Sequence, residues 1–229
     1  MDEIVAGFLQ AIQLILSGDP ALMEIIALSL GVSGAALLLS TLAGVPIGAA
    51  LGLSRVRGQG VVTALLYTGM GLPPVAVGLF VYLMLSRSGP LGPLGWLFTP
   101  RAMIVAQTII AFPLVAGLTM TAVRAVDPAL RTQVRSLGAD RLQETWAVLK
   151  EARVGVVAAI VAAFGGVISE VGAVMLVGGN IEGKTRVLTT AIVLQTRTGE
   201  FALAIALGII LLALAFAANV ALLRLQGRP

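Results

Sequence analysis

The chain has 229 residues, 58% of them hydrophobic and only 11% charged, whereas about a quarter of the residues in soluble domains are charged. No room remains for a separate soluble domain, and the net charge of +4 is spread over polar stretches between apolar runs, so membrane topology explains it without a nucleic-acid partner. Cysteine and histidine are both absent, which excludes disulfides and removes the commonest transition-metal ligand and the usual general base.

Residues 4–16 are apolar but shorter than the roughly 20 residues a crossing takes. Gln10 and Gln13 mark a polar side, so an N-terminal interfacial helix is expected, ended by Ser17-Gly18-Asp19-Pro20. The opening Met-Asp-Glu-Ile-Val is acidic where a secretory signal would be basic, so no cleaved signal is expected. Residues 25–53 carry no charge and predict a first span, with a kink near Gly44-Val45-Pro46 and a basic loop at Arg55 and Arg57. Residues 61–85 predict a second span that contains Pro73-Pro74. Residues 86–100 read as a Gly- and Pro-rich outside loop, with Trp96 as an interfacial anchor. A third span is expected over 102–123, a fourth over 154–177 and a fifth over 201–223. A polar loop over 178–200 holds a short helix around 187–194. The fold class is therefore an all-α polytopic membrane protein, one domain over 1–229, with five transmembrane helices plus the N-terminal interfacial helix.

Charge orients it. With the polar stretch at 127–155 in the cytoplasm, Arg55, Arg57, Arg124, Arg131, Arg135, Arg141, Lys150, Arg153, Arg224 and Arg228 are inside. Arg87, Arg101, Lys184, Arg186 and Arg197 are outside. Ten against five obeys the positive-inside rule and puts the N-terminus outside.

The polar stretch is the most informative segment. Asp127-Pro128 is a helix start, and Leu130, Val134 and Leu137 make an apolar stripe on a basic helix. Gly138 interrupts it; Asp140 can cap a second helix striped by Leu142, Trp146 and Leu149. Two short amphipathic helices joined at a glycine suit a groove on another protein. They also suit a helical loop resting on the membrane surface.

Three further features invite a functional reading. Gly178-Gly179-Asn180-Ile181-Glu182-Gly183-Lys184-Thr185 satisfies the phosphate-loop pattern, but it follows a membrane span without a soluble α/β domain, so a glycine-rich turn is expected. Pro73-Pro74 must free backbone groups at membrane depth, either as a bend lining a path or as a packing kink. Glu170 is the ionisable side chain expected inside a span, as a gate or as a hydrogen-bonded packing residue. No nucleophile stands beside a base, so enzymatic activity is not expected.

The segment Arg135-Ser136-Leu137-Gly138-Ala139-Asp140 resembles the coupling loop of ABC importer permeases, although Thr132, Gln133 and Val134 replace the family's Glu-Ala-Ala. Residues 169–181, Ser-Glu-Val-Gly-Ala-Val-Met-Leu-Val-Gly-Gly-Asn-Ile, resemble a motif of oxyanion importer permeases. Residues 72–79, Leu-Pro-Pro-Val-Ala-Val-Gly-Leu, are a third match. The likeness is greatest to the tungstate importers, with molybdate and sulfate permeases next. It implies a type I ABC importer permease fold in the cell membrane and a second copy of the chain surrounded by lipid. It also implies two ATPase subunits that bind ATP and Mg, and an extracytoplasmic solute-binding protein. No cofactor is implied for this chain itself. ATPase coupling would fall to Arg135, Ser136, Leu137, Gly138, Ala139, Asp140, Leu142 and Trp146. The path or gate would draw on Ser33, Ser40, Thr41, Pro73, Pro74, Thr119, Thr121, Ser169 and Glu170. Lys184 and Arg186 would face the binding protein. A gradient-driven carrier or a membrane scaffold are the readings outside this class.

Overall fold

The computed structural model describes residues 2–54 and 58–225, so Arg55, Arg57 and Arg228 lie outside the described residues. The chain runs α1 (Asp2–Ser17), α2 (Pro20–Leu53), α3 (Gln59–Met70), α4 (Pro74–Leu85), α5 (Pro100–Arg124), α6 (Pro128–Ser136), α7 (Arg141–Glu151), α8 (Arg153–Ile168), α9 (Gly172–Gly178), α10 (Leu188–Thr198) and α11 (Phe201–Leu225). A single 3-10 turn, Gly92–Leu94, lies in the loop before α5.

Helices α2, α5 and α11 are each long and apolar enough to cross a membrane alone. Helices α3 and α4 meet at 98°, and α7 and α8 at 69°, so the candidate spans number three to five. The bend expected at Pro73-Pro74 in the second span is therefore a sharp corner. Pro73 takes an extended backbone (φ −61°, ψ 120°), because a residue before proline is pushed out of the helical region, and neither proline supplies an N–H to bridge the gap. The continuous fourth span is corrected. Helix α8 stops at Ile168, residues 169–171 are not helical, and α9 restarts at Gly172. The short helix expected around 187–194 is α10, closed by Gly199.

Helix α1 lies along α11, where Gly7 abuts Ile205 and Ala11 is buried. Phe8, Leu9, Ile12, Ile15 and Leu16 remain exposed on it. Asp19 starts α2 by accepting a hydrogen bond from the Leu22 N–H at 2.8 Å.

The bundle is organised by the crossing of α2 and α5. Gly44, Gly48 and Gly52 recur every fourth residue on α2 and face Val115, Thr119 and Val123 of α5. A Cβ at Gly48 would fall on the Ala116 carbonyl oxygen and 2.9 Å from the Thr119 Cβ. Small residues at this spacing let two backbones touch, which matters in lipid because hydrophobic burial cannot drive helices together there. The next layer packs on this pair. Val81 of α4, Met103 of α5 and Val177 of α9 are fully covered in one cluster with Val32 of α2. At the other end Val148 of α7 is buried with Ala49 and Val123, which fastens the polar helices to the α2–α5 pair.

This packing makes a contrast testable. Gly31 lies on the same helix with open space where its Cβ would go. Gly48→Leu should cost at least the roughly 1–3 kcal/mol typical of overpacking, read as a lower detergent melting temperature. Gly31→Ala should leave that temperature unchanged. Equal melting temperatures for the two variants would refute the close crossing.

Candidate functional site

The polar stretch folds as two helices with a defined turn. Asp127 caps α6 through the Ala129 N–H at 2.8 Å. Asp140 and Gln143 cap α7 reciprocally, Gln143 N–H to the Asp140 carboxylate at 2.8 Å and Asp140 N–H to the Gln143 side chain at 2.9 Å. Between them Gly138 sits at φ 85°. Its N–H donates to the Arg135 carbonyl at 2.9 Å, and the Ala139 N–H donates to the Val134 carbonyl at 3.1 Å. This Schellman arrangement asks for a left-handed residue at that position. A Cβ there would meet open space, so the requirement for glycine within this chain is conformational.

One carboxylate locks the two helices together. Glu144 of α7 is 5% exposed and accepts from Arg131 Nε at 2.7 Å and from Arg135 Nε and Nη2 at 2.8 and 2.9 Å. Hydrogen bonds from Arg135 and then Arg131 hold its carboxyl below the usual carboxylate range, against the opposing effect of burial. The same pairing raises the Arg135 guanidinium. The sequence reading missed Glu144. The available signal was an acid in the first turn of one helix and two arginines, one turn apart, on the preceding helix. The apolar stripes divide in use. Leu130 and Leu149 pack towards Val148, whereas Leu137, Leu142 and Trp146 are 86%, 78% and 71% exposed. Ser136 closes on its own helix through the Thr132 carbonyl at 2.9 Å. The loop thus presents three large apolar side chains in a basic setting on a rigid support.

The break between α8 and α9 is the second site. Ser169 is exposed and donates to the Gly165 carbonyl at 2.7 Å. Glu170 is half-buried, and its carboxylate accepts from the Ala173 N–H at 2.9 Å. It lies in the break, and not within a continuous helix as the sequence implied. Thr189 donates to the Glu170 carbonyl at 3.0 Å, and Gln107 Nε2 donates to the Val167 carbonyl at 2.8 Å. Ser29, Ser33, Gln107, Glu170 and Thr189 line a cavity of about 10 Å³, roughly the room for one water. The Gln107 Oε1, buried and unpartnered among the described residues, belongs to this group.

The other residues singled out from the sequence are dispersed. Ser40 and Thr119 are fully buried; Ser40 donates to the Thr108 carbonyl at 3.2 Å, and Thr119 lies against Gly48. Thr121 is exposed and bonds its own helix, and Thr41 has a buried hydroxyl without a partner among the described residues. Pro73 is exposed and Pro74 half-buried at the α3–α4 corner. Lys184 is exposed, and Arg186 is half-buried, paired to Glu182 at 3.0 Å. The phosphate-loop pattern is a turn after a helix. Thr185 is fully buried, donating to the Gly178 carbonyl at 2.6 Å and accepting from the Ile181 N–H at 2.9 Å. Its hydroxyl is consumed internally, so it cannot serve a nucleotide's metal.

Two outcomes follow. Because the folded carboxyl of Glu144 is held low, its contribution is complete above the ordinary carboxylate value of about 4.3 and lost as pH falls through its depressed folded value. The protection of α6 and α7 amides, relative to their intrinsic exchange rates at each pH, should therefore stay constant from about pH 8 to 5 and fall only in stronger acid. Glu144→Gln should show lowered protection at every pH. At the break, Glu170→Gln preserves an acceptor for the Ala173 N–H and should keep near-native melting in detergent. Glu170→Leu should lose about 1 kcal/mol, as for a deleted helix cap. If Gln destabilises as much as Leu, the capping role is wrong.

Comparison with known proteins places this architecture. The solved methionine ABC transporter MetNI, in inward-facing conformations, aligns with a TM-score of 0.74 over 92% of this chain and 98% of that one at 19% identity. A bacterial alginate ABC transporter aligns at 0.72 over 87% and 76% with 20% identity. These likenesses show a type I ABC importer permease fold. In sequence, the tungstate uptake permease TupB of Peptoclostridium acidaminophilum is 41% identical over 99% of both chains. A probable anion ABC transporter permease of Haloferax volcanii is 48% identical over 86% of this chain and 88% of its own. The molybdenum permease ModB of Escherichia coli K12 is 30% identical over 77% and 82%. Residues 44–228 match the family described as binding-protein-dependent transport system inner membrane component, and the chain belongs to that family of multi-pass ABC transporter permeases.

Proposed function

We propose that this permease imports a tetrahedral oxyanion, tungstate first, as the translocation subunit of an ATP-driven importer. The observation that carries the reading is the likeness to a tungstate uptake permease over 99% of both chains. The similarity to an anion permease and to a molybdenum permease supports the same class and makes molybdate the second choice. In this reading two copies form the pathway by α2, the α3–α4 corner, α5, α8–α9 and α11, five crossings each. Helix α1 rests beside α11. Two separate ATPase chains bind ATP and Mg and dock on Leu137, Leu142 and Trp146, whose exposure leaves an apolar surface for a partner. A solute-binding protein docks on the other side, near Lys184 and Arg186.

The membrane-crossing helices named above hold no lysine, and arginine only within two residues of a helix end, so a dianion at mid-membrane meets no fixed full positive charge. Burying it tightly there would be very costly. The pathway therefore passes the ion weakly, past hydroxyls and carbonyls of the kind clustered at the α8–α9 break, and selection falls to the binding protein. Tungstate and molybdate have the same charge and nearly the same size, so the permease alone should pass both.

The experiment is uptake into proteoliposomes holding the permease, its ATPase and a binding protein. ATP-dependent tungstate uptake is expected. With a docked, molybdate-selective binding protein, molybdate uptake is expected through the same permease. Continued rejection of molybdate while ATP hydrolysis stays coupled would place selectivity in the permease and overturn the weak-path reading.

A further inference from the structure

We propose that the cleft where α2, α3, α5 and α6 meet, beside the coupling loop, binds an anionic phosphate-class group. Its source is either a phospholipid headgroup or a free tetrahedral oxyanion. The cleft has a volume of about 680 Å³, and the charged side chains lining it are Arg124 and Arg131, with no carboxylate among its lining residues. A roomy cavity with two guanidinium groups and no internal counter-charge attracts an anion, and arginine's planar fork suits phosphate-like oxygens.

The two guanidinium groups are held but not used up. Arg131 is fixed by its Nε, which donates to Glu144 at 2.7 Å, and its Nη nitrogens make no hydrogen bond among the described residues. Arg124 makes one long bond, Nη2 to the Leu51 carbonyl at 3.4 Å. Glu144 lies behind Arg131 and does not line the cleft. Asp127 spends its carboxylate on the Ala129 N–H at 2.8 Å and faces the neighbouring cleft. Gln59 is a wall rather than a ligand, since its amide donates to the Leu51 and Ser54 carbonyls. Thr63 offers a hydroxyl whose one partner among the described residues is the Met120 thioether at 3.8 Å, a weak acceptor. Val123 and Val126 supply an apolar wall. A basic, partly apolar pocket between helix ends on the cytoplasmic side is where an anionic headgroup is held. The Arg131 that would clasp it is the same side chain that ties α6 to α7. Occupancy of the cleft therefore bears directly on how firmly the coupling loop is held, whichever solute is transported.

The test uses the purified full chain, delipidated in detergent, with circular dichroism and size exclusion confirming the fold of each variant. Native mass spectrometry with added phosphatidylglycerol or phosphatidylcholine reads the lipid arm. Melting temperature with inorganic phosphate or tungstate reads the free-anion arm. Arg124→Gln should weaken binding roughly fivefold, as for one basic residue at an anionic headgroup. Gly60→Leu should weaken it similarly without changing charge, because it projects from α3 into open space at the cleft. Arg224→Gln removes an exposed charge at the end of α11 and should bind as the wild type does. Loss confined to phosphatidylglycerol names the lipid; loss confined to the free-anion arm names the ion. Equal binding by wild type, Arg124→Gln and Gly60→Leu in both arms overturns the proposal, as does an equal loss in Arg224→Gln. If Arg124→Gln fails to fold, Gly60→Leu alone decides between these outcomes.

Discussion

A helix that breaks inside lipid must find new partners for the backbone groups it frees, because the hydrocarbon offers none. That constraint shapes the region around α8, α9 and α10. The Val167 carbonyl, released where α8 ends, is met by Gln107 of α5; the Glu170 carbonyl by Thr189; the Ala173 N–H by the Glu170 carboxylate. The Gly178 carbonyl is met by Thr185, the Leu188 N–H by Ser29 of α2, and the Val177 carbonyl by the Phe98 N–H. The polar side chains of an otherwise greasy chain are thus concentrated where the backbone is irregular.

The same economy governs the coupling end. Helices of 9 and 11 residues are marginal on their own. They persist here because each has a cap, because Gly138 supplies a left-handed turn, and because Glu144 joins them through two arginines. Val148 then roots α7 among Ala49 and Val123. The helix that carries the exposed Leu142 and Trp146 is thus packed directly onto the α2–α5 crossing. The glycine stripe at that crossing leaves little slack between the two backbones.

Much of this was legible in the residues. Charge-free runs marked the long helices, and the caps at Asp127 and Asp140, with Gly138 between, located α6 and α7 within a residue or so. The Pro73-Pro74 step announced a bend. The 98° size of that bend was not legible, because proline removes hydrogen bonds without dictating where the next helix packs. The break at 169–171 was hidden for a related reason. Ser169 and Glu170 are flanked on both sides by apolar residues that read as one span, and what stabilises the open backbone includes Gln107, 60 positions earlier in the chain from Val167.

By itself, then, the sequence determined what depends on near neighbours: which stretches are apolar enough for lipid and where helices start and stop by capping. It also carried the likeness of residues 135–140 and 169–181 to permeases, a property of residue order alone. Only the tertiary structure decided that Glu170 caps a restarted helix, that Thr185 closes a turn instead of holding a nucleotide's metal, and that Glu144 joins two arginines. Each of those roles is set by which groups meet across the fold, as when Ser29 and Leu188 meet across 159 positions. Local composition constrains what a side chain can do, while its actual partner is chosen by the packing of helices far apart in the chain.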